Sequence, residues 1–233
     1  MPYYGYYYFD PTYILVIIAA IICLIASARV KTTYNKYSRV ASRSGMTAAQ
    51  AAERILHNAG IYDVSIGRVA GNLTDHYDPR NKTLNLSAGV YNSTSVAALG
   101  IAAHEAGHAI QHHTRYAPLT IRGSLVPVAK FGSSLAWPLI IIGIILSGPM
   151  LIQIGIIFFS LAVLFQLVTL PVEFNASRRA MDRLETLGIL GDQELSLTGK
   201  VLRAAALTYV ASAAASILQL LRLVLLFGGR RND

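Results

Sequence analysis

The chain has a single cysteine in 233 residues, Cys23, and it lies inside an apolar run. That count excludes a disulfide within one chain and a metal site built on thiolates. Charge is also scarce, at 14% Asp, Glu, Lys and Arg against 54% hydrophobic residues. A soluble domain carries about 25% charged residues, so this composition excludes an ordinary one and points to membrane-spanning helices. Acids are scarcer than bases, 12 against 20, for a net charge of +8. No RNA- or DNA-binding motif accompanies that excess. It is read as basic segments at a membrane surface, with no nucleic-acid partner.

What the chain does have is Ala102-Ala103-His104-Glu105-Ala106-Gly107-His108-Ala109-Ile110. On a helix, residues i and i+4 share a face, so His104 and His108 can offer two imidazoles to one metal ion. Glu105 is then placed to act as general base toward water activated by zinc. Three polar groups in an otherwise apolar helix are costly to bury without such partners. Ser93 or Ser95 can cap the helix, which runs over about residues 93–113. His112 is a poor ligand, because it lies about 12 Å along the axis from His104. The H-E-x-x-H-x-x-G-x-x-H pattern is incomplete, since its last position is Thr114. The third ligand must come from elsewhere.

Residues 1–9 are crowded with tyrosine, which suits a membrane interface and equally a disordered tail. Residues 13–28 carry no charge and are long enough to span with their flanks. Arg29, Lys31, Lys36, Arg39 and Arg43 follow this run rather than precede it. The order fits an uncleaved anchor with its N-terminus outside, and it places the next domain in the cytoplasm. Thr47 caps a helix to about Asn58, with Gly60 as its stop. Residues 63–69 read as a weak strand, 75–79 as a turn and 83–87 as a short strand. The edge near Leu84 and Leu86 is a candidate for aligning an extended peptide. His76 and Asp78 are read as turn or ligand-supporting residues before they are read as ligands.

Residues 131–172 again lack charge. Ser147-Gly148-Pro149 divides them into spans of about 132–146 and 151–170, with Trp137 as an interface anchor. Pro171 can open the next helix and Gly188 can end it. Glu173 is the only acid before Asp182. Two crossings separate it from His108, so both lie on one side of the membrane. Glu173 can therefore complete a His2Glu site, or simply favour a helix N-terminus. Residues 204–227 form a last apolar helix with Arg222 as its only charge. A full span there puts Arg230 and Arg231 outside, against the charge trend, whereas a re-entrant or interfacial helix removes the conflict.

Taken with Gly45-Met46-Thr47, residues 75–79, residues 84–87, residues 104–111, residues 173–180 and residues 208–211, the chain resembles the YugP-like neutral zinc metallopeptidases. These are small prokaryotic membrane proteins related in pattern to the gluzincins and the HtpX-type proteases. The resemblance covers nearly the whole chain. It implies that His104, His108 and Glu173 bind Zn2+ and that Glu105 is catalytic. One departure stands out: the HtpX-like pattern has an aspartate four residues after the glutamate, and here that position is Ser177. A serine can hydrogen-bond an imidazole without adding charge, so Ser177, Asp78 and Asp182 are all candidates for supporting the ligands.

The expectation is a mainly α integral membrane protein of about four hydrophobic helices, with a zincin-like domain and a short β edge. Its expected units are 1–29 (tyrosine-rich segment and first span), 30–130 (zincin-like domain), 131–170 (hairpin), 171–203 (third-ligand helix and loop) and 204–233 (last hydrophobic helix). The expected activity is a multi-pass plasma-membrane endopeptidase facing the cytoplasm, acting on peptides or proteins beside the lipid bilayer. Tyr91, Tyr116 and Tyr209 are candidates for stabilising the oxyanion. Two other readings are an intramembrane protease, though no Leu-Asp-Gly occurs, and a scaffold or chaperone with a structural metal.

Overall fold

In the computed structural model, residues 10–228 are described. The tyrosine cluster of residues 1–9 and the pair Arg230 and Arg231 fall outside them. Among the described residues, four helices are long and apolar enough to cross a bilayer: α1 (Tyr13–Tyr37), α5 (Ala117–Ile145), α6 (Pro149–Thr186) and α7 (Asp192–Phe227). The remaining elements are α2 (Ala48–Asn58), β1 (Ser65–Val69), β2 (His76–Asp78), β3 (Thr83–Ser87), α3 (Ala88–Tyr91) and α4 (Val96–His113). The protein is a mainly α membrane protein with one small sheet.

Helices α1 and α7 lie antiparallel along each other. The Cys23 thiol sits 3.8 Å from the Ala211 carbonyl, and Arg222 meets Asp10 at 3.4 Å. Arg222 also donates to the Thr12 hydroxyl and covers the Tyr13 ring at 4.3 Å. The single charge of residues 204–227 in α7 is thus paired at the N-terminal end of α1. Helix α7 runs the length of α1 and, like it, is long and apolar enough to cross a bilayer. Large apolar side chains of α1, including Ile14, Leu24 and Ile25, remain exposed, as a lipid-facing helix requires.

Helices α5 and α6 form the hairpin, turning at Ser147 (φ 51°) and Gly148. Trp137 packs edge-to-face on Phe159 at 6.1 Å and remains exposed on the hairpin. Pro171 does not open a helix. It lies inside α6, which continues to Thr186. Proline removes one intrahelical hydrogen bond. The helix persists because Val172, Glu173, Ala176, Ala180 and Leu184 beyond it are buried.

The polar end of the bundle carries the remaining elements. Thr47 and Gln50 form a reciprocal capping box on α2, and Gly60 (φ +74°) ends it in the left-handed region. The apolar stripe Ala48, Ala51, Ala52, Ile55 and Leu56 packs on α4, whose N-cap is Ser95. The sheet has the order β1-β3-β2, with β1 parallel and β2 antiparallel to β3. Two expectations change here. Residues 76–78 form a strand rather than only a turn, and β3 is central. Leu84 and Leu86 are fully buried, Leu84 paired with both neighbours and Leu86 with Arg68 of β1, so the edges of the sheet are β1 and β2 rather than β3.

Candidate metal centre

Helices α4 and α6 cross at Gly107. A Cβ there would lie 2.7 Å from the Ala176 carbonyl oxygen, so only glycine permits the approach. At this crossing α4 presents His104, nearly a turn before Gly107, and His108, next to it, while α6 presents Glu173 and Ser177 in the same relation to Ala176.

The Glu173 Oε2 atom lies 3.3 Å from His104 Nε2 and 3.6 Å from His108 Nε2. It is fully buried and has no hydrogen-bond partner, so neither imidazole contact has hydrogen-bond geometry. An orphaned buried carboxylate oxygen is costly unless something else satisfies it. The three donor atoms lie within 4.8 Å of one another, which suits tetrahedral zinc with metal–ligand distances of about 2 Å. The donor set, two imidazoles and one carboxylate, also fits zinc by its chemistry.

The opposite ring nitrogens are held. His104 Nδ1 meets the Ser177 hydroxyl at 3.1 Å, and His108 Nδ1 meets Gln111 Oε1 at 3.0 Å. Gln111 is itself fixed, because its amide nitrogen donates to the Val172 carbonyl at 2.8 Å and to Asn175 Oδ1 at 3.0 Å. Its oxygen must therefore accept from His108, which leaves the lone pair of His108 on Nε2. The sequence reading gave Gln111 no role. Its signal was an amide three residues past a ligand on an apolar helix.

Glu105 is buried, and its Oε2 accepts the Tyr77 backbone N–H of β2 at 2.9 Å. Arg122 of α5, also without a role in the sequence reading, sits 3.6 Å from Glu173 Oε1. Burial opposes protonation of His108, but the Glu173 carboxylate and then Glu105 outweigh it and raise its pKa above 6.5.

Other candidates fall elsewhere. Asp78 accepts from the Arg80 N–H and the Asn81 amide and closes the turn after β2. Asp182 is exposed on α6 and lines neither cleft at the site. His76 has both ring nitrogens engaged, with the Thr74 carbonyl and the Asn85 amide. Arg68 covers the Tyr91 ring and Arg179 the Tyr116 ring, while Tyr209 lines the site beside Glu105 and Glu173.

Two clefts flank the donor group. One, of about 770 Å3, includes His108, Glu105, Glu173, Arg122 and the start of α5. The other, of about 200 Å3, includes His104, Glu105 and Glu173 with Val30 of α1 and Leu202 and Ala205 of α7.

A family model described as "Putative neutral zinc metallopeptidase" matches residues 12–228. The chain is 47% identical over 209 residues to the "Putative membrane protease YugP" of Bacillus subtilis (strain 168), covering 89% of this chain and 92% of that protein. No solved structure matches. With an unsatisfied carboxylate and two imidazoles held at their Nδ1 atoms converging at the end of a helical bundle, the chain belongs to the neutral zinc metallopeptidase family to which that model corresponds.

Proposed function

We propose that the protein is a membrane-bound, gluzincin-like zinc endopeptidase in which His104, His108 and Glu173 hold the metal and Glu105 is the general base. The observation that carries this reading is the buried Glu173 Oε2, unpartnered between two Nε2 atoms, with clefts on both sides. Zinc held there supplies Lewis-acid polarisation of a carbonyl and a water that is nucleophilic near neutral pH.

The chain's own groups do the rest. Ser177 and Gln111 keep each imidazole turned with Nε2 inward. The Tyr77 N–H holds Glu105 Oε2 in place. Glu105 takes a proton from the attacking water and passes it to the leaving amine. Tyr209 is the one oxyanion candidate of the three at the site, and it donates its hydroxyl proton to the developing charge. The free edge of β2, not β3, aligns an extended peptide. Substrate arrives from the water–membrane boundary. The basic segment of residues 29–43 supports a cytoplasmic orientation for that end of the bundle, with the protein in the plasma membrane.

The test is zinc content together with cleavage of unfolded protein, measured in detergent. Glu105→Gln should keep zinc and lose cleavage, and Glu173→Ala should lose both. A Glu105→Gln protein as active as wild type would instead support a scaffold with a structural metal. A Glu173→Ala protein that binds zinc tightly would remove Glu173 from the ligand set.

A further inference from the structure

The larger cleft is basic outside the donor group. Arg80, Arg115 and Arg122 line it, with His76 and His112 beside them. The acids along its wall are already engaged. Both Asp75 oxygens accept from Ser87, through its backbone N–H at 2.7 Å and its hydroxyl at 3.1 Å. Glu105 accepts the Tyr77 N–H, and Glu173 faces the imidazoles and Arg122. Neither Arg80 nor Arg115 has a carboxylate within ion-pair distance among the described residues. The smaller cleft is different in kind: apart from Glu105 and Glu173, its only acid is Asp75, and it has no Lys or Arg in its wall.

We infer that the His108-side cleft selects a carboxylate on the substrate, which Arg80 and Arg115 bind. The proposal rests on the peptidase reading and deepens it by naming the substrate class, a peptide that is acidic on one side of the scissile bond. Guanidinium groups bind carboxylates in paired hydrogen bonds. Unneutralised arginines around a concave wall also raise the local concentration of acidic chains, more so at low salt. Two sources carry this chemistry, a Glu or Asp side chain and a free C-terminus. Arg122 is shared with Glu173 and is left out of the test.

The experiment measures binding of blocked peptides to zinc-loaded Glu105→Gln protein in a neutral detergent, and cleavage of the same peptides by the active protein. Peptide pairs differ by Glu against Gln at each position on either side of the bond, and by free against amidated C-terminus. The expected result is about tenfold tighter binding of the Glu peptide on one side only, with the preference falling in high salt. Arg80→Gln combined with Arg115→Gln should abolish the preference while zinc content and cleavage of the Gln peptide stay unchanged. A preference carried only by the free C-terminus assigns the cleft to chain ends and supports the carboxylate reading from that source.

Equal binding of Glu and Gln peptides at every position, together with equal binding of free and amidated C-termini, overturns the inference, even when the peptides are cleaved and the peptidase reading stands. Binding that keeps the Glu preference without any cleavage by the active protein supports the cleft assignment and removes the peptidase reading. Retention of phosphatidylglycerol that depends on both arginines, with no Glu preference, overturns the inference in favour of a lipid headgroup.

Discussion

Gly107 on α4 and Ala176 on α6 touch backbone to backbone, with room for no Cβ between them. This contact sets the distance from the two imidazoles to Glu173, because His104 and His108 flank Gly107 while Glu173 and Ser177 flank Ala176. Helix packing and metal geometry are therefore one feature.

Gly107→Ala should push the helices apart, since the obstacle is a carbonyl rather than a flexible side-chain end. Overpacking of this kind costs about 1–3 kcal/mol. The loss should appear as a lower unfolding temperature and a weaker zinc affinity together. A Gly107→Ala protein with wild-type zinc affinity would show that the crossing does not set the site.

Gln111→Leu should fold but hold zinc about 10–100-fold more weakly, the usual cost of losing a group that orients a ligand. His108 would then lose the acceptor for Nδ1–H, and its two tautomers would compete. The Val172 carbonyl also loses its donor, so stability should drop by about 1 kcal/mol. Competition with a chelator of known affinity measures the first effect, and thermal unfolding of the metal-free protein measures the second. Unchanged zinc affinity would leave Gln111 as a packing residue.

The two histidines were legible because i and i+4 on one helix face need no tertiary information. Glu173 was legible through scarcity: acids are rare near the second hairpin strand of the bundle, and two crossings return the chain to the side it left. Ser177 was legible through the resemblance, as the position where the HtpX-like pattern has an aspartate. Gln111 and Arg122 were not legible, since their meaning depends on which helix covers them. Gln111 is explained only by the Val172 carbonyl of α6, and Arg122 only by Glu173. Strand β2 was hidden because three residues next to Pro79 look like a turn until β3 pairs with them. Pro171 misled for a similar reason. Its local preference for a helix start was overridden by the packing of Val172 and Ala176 against α4.

Zinc binding should strengthen with rising pH. The metal needs an unprotonated His108, and Glu173 and Glu105 hold its proton above the ordinary value of 6.5. In the metal-free protein the raised pKa stabilises the fold below the unfolded-state value, and this contribution is lost as pH rises through the folded-state value. Zinc adds most in the range where that contribution has gone. The gap in unfolding temperature between zinc-loaded and metal-free protein should therefore widen from about pH 6 to about pH 8. A gap that is constant or narrows would mean that His108 carries no proton that zinc must displace.

The far end of the bundle offers a test that does not involve the metal. Arg222 reaches Asp10, Thr12 and the Tyr13 ring, and these tie the start of α1 to the end of α7. Both side chains of the ion pair keep some exposure, 16% and 27%, so screening reduces its worth to about 1 kcal/mol. Arg222→Leu should cost about that much or less, because an apolar side chain suits a helix in lipid. Asp10→Asn should cost more, since it leaves the guanidinium at the bundle end without a counter-charge. Neither change should alter zinc content, because Arg222 and the ligands lie at opposite ends of the bundle. If Arg222→Leu destabilises more than Asp10→Asn, the arginine is held by the Tyr13 face and the Thr12 hydroxyl rather than by the carboxylate. A double-mutant cycle over the two positions separates these contributions.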